Sequence, residues 1–427
     1  MRMLLPLAFV CALAPGAEAQ RGLEGTWQGY WIRSGDSLPV RLTVRPDTAP
    51  GRFRATFGSE RLRVSGIPFA EARVDGCCDV TMVLRGDRTT TTFTGRVQGD
   101  SLAGTLTENG AEGRFVYTRA AVSAAEFSER DVTFANGEVR LAGTLLMPAG
   151  GTPAAGVVFL HGSGGEGRFA SRFLAEQAAT HGVAALIFDK RGVGGSSGDW
   201  RTAAPDDLAR DAIAAVEFLA AQQGIDPRRV GIHGHSQGGT LAPMVAALSP
   251  RVRFVVASAA AGVPTDSVEL FSILNSMRSS TQSPADSADA ARYVAELVDV
   301  AYHGRGHARL DSLANTYRDR AWFFPPPPPG NVYWTFSRAF GRYDPLAWWA
   351  RIRVPVLLVY GGDDQRVPAR ESAARIAAAL RRAGNGDVTV RIFPGADHTF
   401  RLAPGPSGWP STAPDYLPTL VHWLSAR

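Results

Sequence analysis

The residue best suited to covalent chemistry is a serine within a glycine-rich turn. Residues 234–238 read Gly-His-Ser-Gln-Gly and fit the pattern G-x-S-x-G around Ser236. The apolar run at 230–232 predicts a buried strand before this turn, and the apolar positions from Leu241 onward predict a helix after it. In such a turn the glycines keep side chains out of the way, and the serine hydroxyl projects clear of the sheet. The pattern therefore predicts a nucleophilic serine.

A serine hydroxyl becomes a good nucleophile when a base of near-neutral pKa removes its proton and a carboxylate orients that base. Of the eight histidines, His398 alone stands on a loop after the last predicted strand, at 388–393. Two carboxylates, Asp363 and Asp364, directly follow the apolar run at 354–360. The order serine, aspartate, histidine predicts a catalytic triad.

An oxyanion that forms on attack needs preorganised N–H donors, and we expect the backbone amide of Gln237, the residue after the serine, to be one of them. His233 and His235 flank the glycine before the serine. A metal site is not expected there, because neighbouring positions point apart and no carboxylate or thiol cluster lies beside them.

The elements that must hold these residues alternate between strand and helix. Strands are predicted at 139–147, 156–160, 183–188, 254–258, 354–360 and 388–393, with helices at 169–181, from Pro205, at 371–382 and at 416–425. This alternation predicts a parallel sheet covered by helices on both faces.

Residues 120–136 are polar and are predicted to be a connector. An insertion at 262–350, helical at first and then rich in proline and aromatic residues, is predicted to form a cap over the carboxyl ends of the strands. Its aromatic side chains line a pocket or fasten the cap, and both interpretations stay open.

Several of these loops resemble those of bacterial α/β-hydrolases of the esterase and serine-aminopeptidase-like group. Residues 361–368 resemble the G-x-x-D-x-x-V-P loop, which implies that Asp364 is the acid, with Asp363 as its rival. Residues 161–165, His-Gly-Ser-Gly-Gly, resemble the H-G-x-G loop of esterases, which implies that the amide of Ser163 is the second oxyanion donor; a phosphate-binding loop would need a lysine that this loop lacks. Residues 189–198 resemble the D-x-R-G-x-G-x-S-x-G loop, expected to be a structural rim of the site. The resemblance implies an α/β-hydrolase fold, an ester-cleaving serine hydrolase that works through an acyl-enzyme, and no cofactor or metal.

The first hundred residues differ from the rest of the chain. Short alternating segments at 38–44, 52–57, 80–84, 91–95, 101–107 and 114–118 predict an all-β module. Residues 25–31 resemble the first strand of lipocalin-like barrels and of β-modules that precede some exported bacterial hydrolases. We therefore expect a barrel-like module at 20–120 and a catalytic domain at 121–427. For Trp27, Tyr30 and Trp31 we favour barrel filling over a binding surface, because alternation in a closed sheet turns half of its side chains inward.

Residues 1–19 read as a cleavable signal peptide, with Arg2, an apolar run and a small-x-small site before Gln20, so we expect a secreted or periplasmic protein. The apolar run is too short to span a bilayer, and stable membrane insertion is not expected.

The net charge is +5, but arginines alternate with acids, so no nucleic-acid partner is expected. Cys77 and Cys78 form either a strained vicinal disulfide or two structural thiols.

Two other functions stay open at this point. An aminopeptidase or amidase would need carboxylates in the cap to hold a substrate ammonium group, and Glu269 and Glu296 are the candidates. A non-catalytic binding protein on a hydrolase scaffold would use the β-module as its binding surface. The expected partner is a small-molecule ester or a short peptide; the natural acyl group and the oligomeric state cannot be derived from the sequence.

Overall fold

The computed structural model describes residues 22–49, 51–86, 89–121, 126–150, 153–281, 283–341 and 343–427. The expected signal peptide at 1–19 lies outside these ranges. The described residues form two compact units: the N-terminal strands together with Pro404–Ser411, and the remainder of the chain. In these ranges no helix is both long and apolar enough to cross a membrane.

The N-terminal unit is an antiparallel sheet, as the alternating segments predicted. Its strands, within the described residues, are β1 Gly25–Arg33, β2 Asp36–Pro46, β3 Phe53–Ser59, β4 Val64–Pro68, β5 Glu71–Asp75, β6 Asp79–Arg85, β7 Thr90–Gln98, β8 Ser101–Glu108 and β9 Ala111–Arg119. They lie in the order β4-β3-β2-β1-β9-β8-β7-β6-β5. An antiparallel bridge between Arg52 and Arg73 brings β5 beside the start of β3, so the sheet curls toward closure. The sequence did not predict β4 and β5. Cys77 and Cys78, in the turn after β5, are free thiols.

The inner face of this sheet holds an aromatic core. Trp27 is fully buried and Trp31 is 5% exposed, whereas Tyr30 on the opposite face is 50% exposed. Trp31 Nε1 donates a hydrogen bond of 2.6 Å to the Tyr117 hydroxyl, and its ring centroid lies 4.9 Å from that of Phe93. Barrel filling is therefore the correct interpretation for the two tryptophans and the wrong one for Tyr30.

A C-terminal segment, Pro404–Ser411, belongs to this unit and was not predicted to do so. Trp409 joins the aromatic core. The guanidinium of Arg33 lies 4.8 Å from the centroid of the Trp409 ring, and its Nε donates a hydrogen bond of 2.8 Å to the Ser407 carbonyl. The first unit is thus completed by residues far away in the sequence.

The second unit is built on a mostly parallel sheet. Its strands, within the described residues, are β10 Phe127–Asn136, β11 Val139–Pro148, β12 Ala154–Leu160, β13 Val183–Phe188, β14 Ile225–His235, β15 Val255–Ser258, β16 Val356–Gly361 and β17 Val388–Phe393, in the order β10-β11-β13-β12-β14-β15-β16-β17. The strands β10 and β11 are antiparallel to their neighbours, and the others run parallel. Two short strands, Arg401–Leu402 and Ser411–Thr412, lie near the C-terminus.

The prediction of a connector at 120–136 was wrong where β10 forms. This strand pairs along its whole length with β11, yet Val132 is its only buried residue. An edge strand that buries one side chain lacks the hydrophobic alternation by which strands are recognised. Its backbone hydrogen bonds to β11, which the side chains do not reveal, hold it in place together with the packing of the partly buried Phe134 on Phe188 and Phe218.

Helices cover both faces of this sheet, as the alternation predicted. Their bounds within the described residues are Arg172–Thr180, Pro205–Ala220, Gln237–Leu248, Thr265–Ser276, Pro284–His303, His307–Tyr317, Val332–Phe340, Leu346–Trp349, Ala369–Arg382 and Tyr416–Ser425, with a 3-10 turn at Arg168–Ser171. The residues buried in Arg172–Thr180 and Tyr416–Ser425 form one core with the sheet, and those of the remaining long helices form the other. The helices from Thr265 to Trp349 make up the cap.

Candidate active site

The turn that carries Ser236 is tight and strained. Ser236 has φ +55° and ψ −115°, in a region that side-chain-bearing residues rarely adopt. A Cβ on Gly234 would lie 2.3 Å from the carbonyl carbon of Gly238, and a Cβ on Gly238 would lie 2.6 Å from the carbonyl oxygen of Leu160. Both positions therefore require glycine. The helix Gln237–Leu248 begins at the next residue, so the serine stands between the end of β14 and a helix N-terminus.

Three predicted site residues form one hydrogen-bonded row. His398 Nε2 lies 2.9 Å from Ser236 Oγ, and His398 Nδ1 lies 2.8 Å from Asp364 Oδ2. Because an ionised carboxylate only accepts hydrogen bonds, Nδ1 carries the proton and Nε2 is left free to accept the one from Ser236. This is the arrangement in which an imidazole acts as a base toward a serine.

The loop after β16 distinguishes the two neighbouring aspartates. The Asp364 side chain is fully buried, and its Oδ1 accepts hydrogen bonds from the backbone N–H groups of Arg366 and Val367, at 2.7 Å and 2.9 Å. Asp363 is exposed. The structure thus brings Asp364, and not Asp363, to His398.

The other histidines of this region are structural in their contacts. His235 Nε2 lies 3.0 Å from the His398 carbonyl oxygen, and His233 Nε2 lies 2.8 Å from Ser258 Oγ. They lie on either side of Gly234 and face different partners. Among the described residues no group of three or more His, Cys, Asp or Glu side chains is arranged to hold a metal ion.

The two predicted oxyanion donors follow neighbouring strands, Ser163 in the loop after β12 and Gln237 at the start of the helix after β14. Leu160, the last residue of β12, pairs with Gly234 of β14, so the loop at 161–165 begins beside the serine turn. The connection from β12 leads to β13 on one side, and the connection from β14 leads to β15 on the other side. Ligands bind at such switch points in open parallel sheets. Within the described residues, the backbone N–H groups of Ser163 and Gln237 make no hydrogen bond to the protein. Both donors remain available for a ligand.

A buried lysine contacts the two segments that carry these donors. Lys190 is 3% exposed. Its Nζ donates hydrogen bonds to the carbonyl oxygens of Gly162 and Gly164, the latter at 2.7 Å, and to Gln237 Oε1 at 3.1 Å. Glu166 closes the loop from its other end, since its carboxylate accepts the Gly162 N–H at 2.6 Å. Burial lowers the pKa of Lys190 to about 8, an effect that Glu166 opposes.

The cap contacts the loops that follow the carboxyl ends of several strands. Asn275 donates to the Gln365 carbonyl after β16, and the Tyr343 hydroxyl donates to the Thr240 carbonyl after β14. The ring centroids of Phe336 and Trp200 lie 5.9 Å apart, and the Trp200 indole lies next to Gly165 of the loop at 161–165. Other aromatic residues, Tyr293, Tyr317 and Trp322, pack on one another inside the cap. The aromatic segment therefore fastens the cap and also brings Phe336 toward the site.

A model of the alpha/beta hydrolase family matches residues 157–406, more than half of the chain. The chain belongs to this family. The expected fold class, an α/β-hydrolase domain preceded by a small all-β domain, is confirmed. Family membership establishes the fold, and it leaves the activity and the substrate open.

Curated relatives match short parts of the chain. A thiohydrolase, apmlB, of Arthrinium phaeospermum is 40% identical over 84 residues, which are 19% of this chain and 27% of that protein. A thiohydrolase, aneE, of Aspergillus aculeatus is 33% identical over 119 residues, 28% of this chain and 37% of that protein. A quorum-quenching protein, AidA, of Acinetobacter baumannii is 32% identical over 127 residues, 30% and 42% of the two chains. The matched segments thus span less than half of each relative.

Solved structures show similarity at low sequence identity. An esterase of Pyrococcus furiosus has 20% identity and a TM-score of 0.43, with 66% of this chain and 88% of that chain covered. An acetyl xylan esterase of Paenibacillus sp. R4 has 18% identity and a TM-score of 0.44, with 72% and 86% covered.

The residue that the sequence analysis missed is Lys190. The loop at 189–198 was interpreted as a structural rim, and part of it is one: the Asp189 carboxylate accepts hydrogen bonds from the backbone N–H groups of Arg168 and Gly195, both at 2.9 Å. Lys190 instead contacts both candidate oxyanion segments. The feature of the sequence that could have drawn attention to Lys190 is that it is the only lysine in a chain with 45 basic residues.

Proposed function

We propose that this chain is a serine hydrolase that cleaves carboxylic esters through an acyl-enzyme. Ser236 is the nucleophile, His398 the base and Asp364 the residue that orients the base. The N–H groups of Gln237 and Ser163 stabilise the oxyanion. The observation that carries the proposal is the unbroken row from Asp364 through His398 to Ser236, with distances of 2.8 Å and 2.9 Å.

In the first half-reaction Ser236 Oγ attacks the ester carbonyl while His398 Nε2 takes the hydroxyl proton. The carbonyl oxygen becomes an oxyanion and accepts hydrogen bonds from the two backbone donors. Collapse of the tetrahedral adduct breaks the bond to the alcohol, which leaves with the proton from His398. Water then repeats the sequence on the acyl-enzyme and releases the acid. Asp364 stays ionised throughout and stabilises the imidazolium in both halves.

The aminopeptidase alternative has little support from the two cap carboxylates. Burial raises the pKa of Glu269, which favours its neutral form over the anion that an ammonium group needs. Glu296 is already paired with Arg309, at 3.0 Å. The hydrogen-bonded row of Asp364, His398 and Ser236 weighs against a non-catalytic binding protein, because binding alone does not require a base aligned with a serine.

Turnover of three substrate classes by the purified chain tests the proposal: short p-nitrophenyl esters, acyl thioesters and aminoacyl p-nitroanilides. Thioesters are included because two of the relatives are named thiohydrolases. We expect kcat/KM to be highest for the esters. Anilide cleavage that exceeds ester cleavage would favour the aminopeptidase, and thioester cleavage that exceeds both would replace the substrate class while leaving the mechanism intact.

We also propose that the protein is exported, on the basis of the signal-like residues 1–19. Expression with this segment and N-terminal sequencing of the extracytoplasmic protein test the proposal. The expected first residue is Gln20; an N-terminus that still includes the apolar run in all of the recovered protein would contradict it.

A further inference from the structure

We propose that Lys190 is a positioning residue of the oxyanion site, which fixes the direction of the Ser163 N–H and holds a positive charge beside the segments that supply both donors. The inference rests on the proposed hydrolase function and adds a residue to it. Lys190 contacts the two segments that supply the donors, through Gly162 and Gly164 on one side and Gln237 on the other. Its ammonium group has three N–H donors, and these three acceptors use all of them.

The contact with Gly162 determines where the Ser163 N–H points. The Gly162 carbonyl and the Ser163 N–H belong to the same peptide unit, which is planar and trans, so the two groups point in opposite directions. Lys190 holds the carbonyl end of this unit. The N–H end is therefore directed away from the lysine, and it makes no hydrogen bond within the described part of the protein.

Without this contact the loop has few means of keeping that orientation. Residues 162–165 read Gly-Ser-Gly-Gly, and glycine adopts many backbone conformations at little steric cost. Gly164 has a φ of +83°, in the left-handed region. The Gly162 N–H is held by the Glu166 carboxylate, and Lys190 holds two carbonyl groups of the same segment. Preorganised donors are more effective than donors that must reorient as charge develops.

The charge of Lys190 also acts on the oxyanion. A positive group in a buried site stabilises a nearby negative charge more strongly than it does in water. The charged and titratable groups around the lysine come from several elements. Glu166 lies in the same loop as the bound carbonyls, and Asp189 precedes the lysine in the chain. Asp211, in the helix Pro205–Ala220, is paired with Arg191 at 2.7 Å. His161 stays neutral, because burial and the charge of Lys190 lower its pKa to about 3.

These contacts predict that kcat for ester hydrolysis depends on pH. Lys190 is protonated below its pKa of about 8 and makes all three hydrogen bonds there. As the pH rises through that value the ammonium loses a proton, and with it a donor and the charge. We therefore expect kcat for ester hydrolysis to fall across this range in the native protein.

The test compares Lys190→Met with Arg191→Met in the full-length chain. Lys190→Met keeps an unbranched side chain that is one atom shorter and removes the charge and the donors. Arg191→Met removes a neighbouring buried cation, which is bonded to Asp211 and to the Asp207 carbonyl and not to the oxyanion loop. The readouts are kcat and KM for a p-nitrophenyl ester between pH 6 and 10, normalised to reactive serine by active-site titration, together with the melting temperature.

For Lys190→Met we expect kcat to fall about 10- to 100-fold, less than the 10²–10³-fold cost of deleting an oxyanion donor itself, with KM changed by less than about threefold. The decline of kcat above pH 8 should disappear in this variant. For Arg191→Met we expect a lower melting temperature, with kcat within about threefold of the native value.

Three results would overturn the proposal. In the first, both variants lose kcat equally and in step with their melting temperatures, which would make Lys190 a purely structural residue. In the second, Lys190→Met retains native kcat. In the third, the native protein shows no decline of kcat anywhere between pH 6 and 10, a measurement that decides the matter even if Lys190→Met does not fold. Absence of ester turnover in the native protein would overturn the hydrolase proposal, and this one with it.

Discussion

The two large sheets of this chain bury their strands in different ways. In the second unit every residue of β12, β13 and β16 is buried. In the first unit a strand such as β2 alternates between buried and exposed residues along its length. A sheet covered on both faces leaves only its strand ends accessible. A sheet with one open face carries polar side chains along the whole length of its strands.

This difference explains why the sequence reveals a candidate site in the second unit and none in the first. In the parallel sheet the reactive side chains collect on the loops after β14, β16 and β17, where glycine-rich turns separate them from apolar runs. In the N-terminal sheet the outward side chains are distributed along the strands, and no pattern singles out a group of them. The first two of the following comparisons test whether function is confined to the strand ends of the second unit, and the third tests how the first sheet is stabilised.

The largest expected effect is that of Asp364→Asn. The amide would present an N–H to His398 Nδ1 and so favour the tautomer in which Nε2 carries the proton and can no longer accept one from Ser236. We expect kcat for ester hydrolysis to fall by about 10⁴-fold. Asp363→Asn, one residue away and exposed, should leave kcat within about twofold, as for most surface substitutions. Equal losses in the two variants would contradict the assignment of the acid.

A second comparison places the same change in each sheet. A Cβ on Gly234 would lie 2.3 Å from the Gly238 carbonyl carbon, and a Cβ on Gly29 of β1 would lie 1.9 Å from the Val116 carbonyl oxygen. Both substitutions to alanine force the backbone to move. We expect Gly234→Ala to lower kcat by about 10²-fold or more, because misplacement of a reacting group by 1 Å has that cost. Gly29→Ala should lower the melting temperature and leave kcat per folded molecule unchanged. A comparable loss of kcat in Gly29→Ala would show that the first unit supports catalysis.

The smallest effects are expected within the first sheet. Trp31→Ala removes a buried ring and its hydrogen bond to the Tyr117 hydroxyl, and should destabilise this unit by about 3–5 kcal/mol. Tyr30→Ala, on the exposed face of the same strand, should change the free energy of unfolding by less than about 0.5 kcal/mol. Chemical denaturation monitored by tryptophan fluorescence measures both. A larger loss for Tyr30→Ala than for Trp31→Ala would mean that the open face of β1 is covered.

Most of the second unit could be predicted because its buried strands are continuous apolar runs. The strand β13 and the helix Tyr416–Ser425 have the bounds that the sequence indicated. The prediction was wrong at β10, because this edge strand pairs with β11 along its whole length while only one of its residues, Val132, is fully buried. The affiliation of Trp409 with the N-terminal core could not be predicted, because it joins residues more than 300 positions apart and no local pattern records such a contact.

The site shows the same limit. Ser236 and His398 were found from strand ends and spacing, Asp364 was implied by the resemblance of its loop to that of known hydrolases, and the structure brings the three together. The role proposed for Lys190 depends on the three oxygen atoms that its ammonium group meets, two of them from the backbone. Carbonyl oxygens are present at every residue, so a sequence cannot show which of them a side chain will contact.

Labelling by a fluorophosphonate probe is the most direct test of the central claim, that Ser236 is an activated nucleophile. The native protein and Ser236→Ala are treated in parallel at neutral pH, digested and examined by mass spectrometry. We expect one adduct per native chain, on the peptide that contains Ser236, and none on the variant, while both proteins keep the same melting temperature within about 2 °C. An unlabelled native protein, or an adduct that persists in Ser236→Ala, would contradict the account.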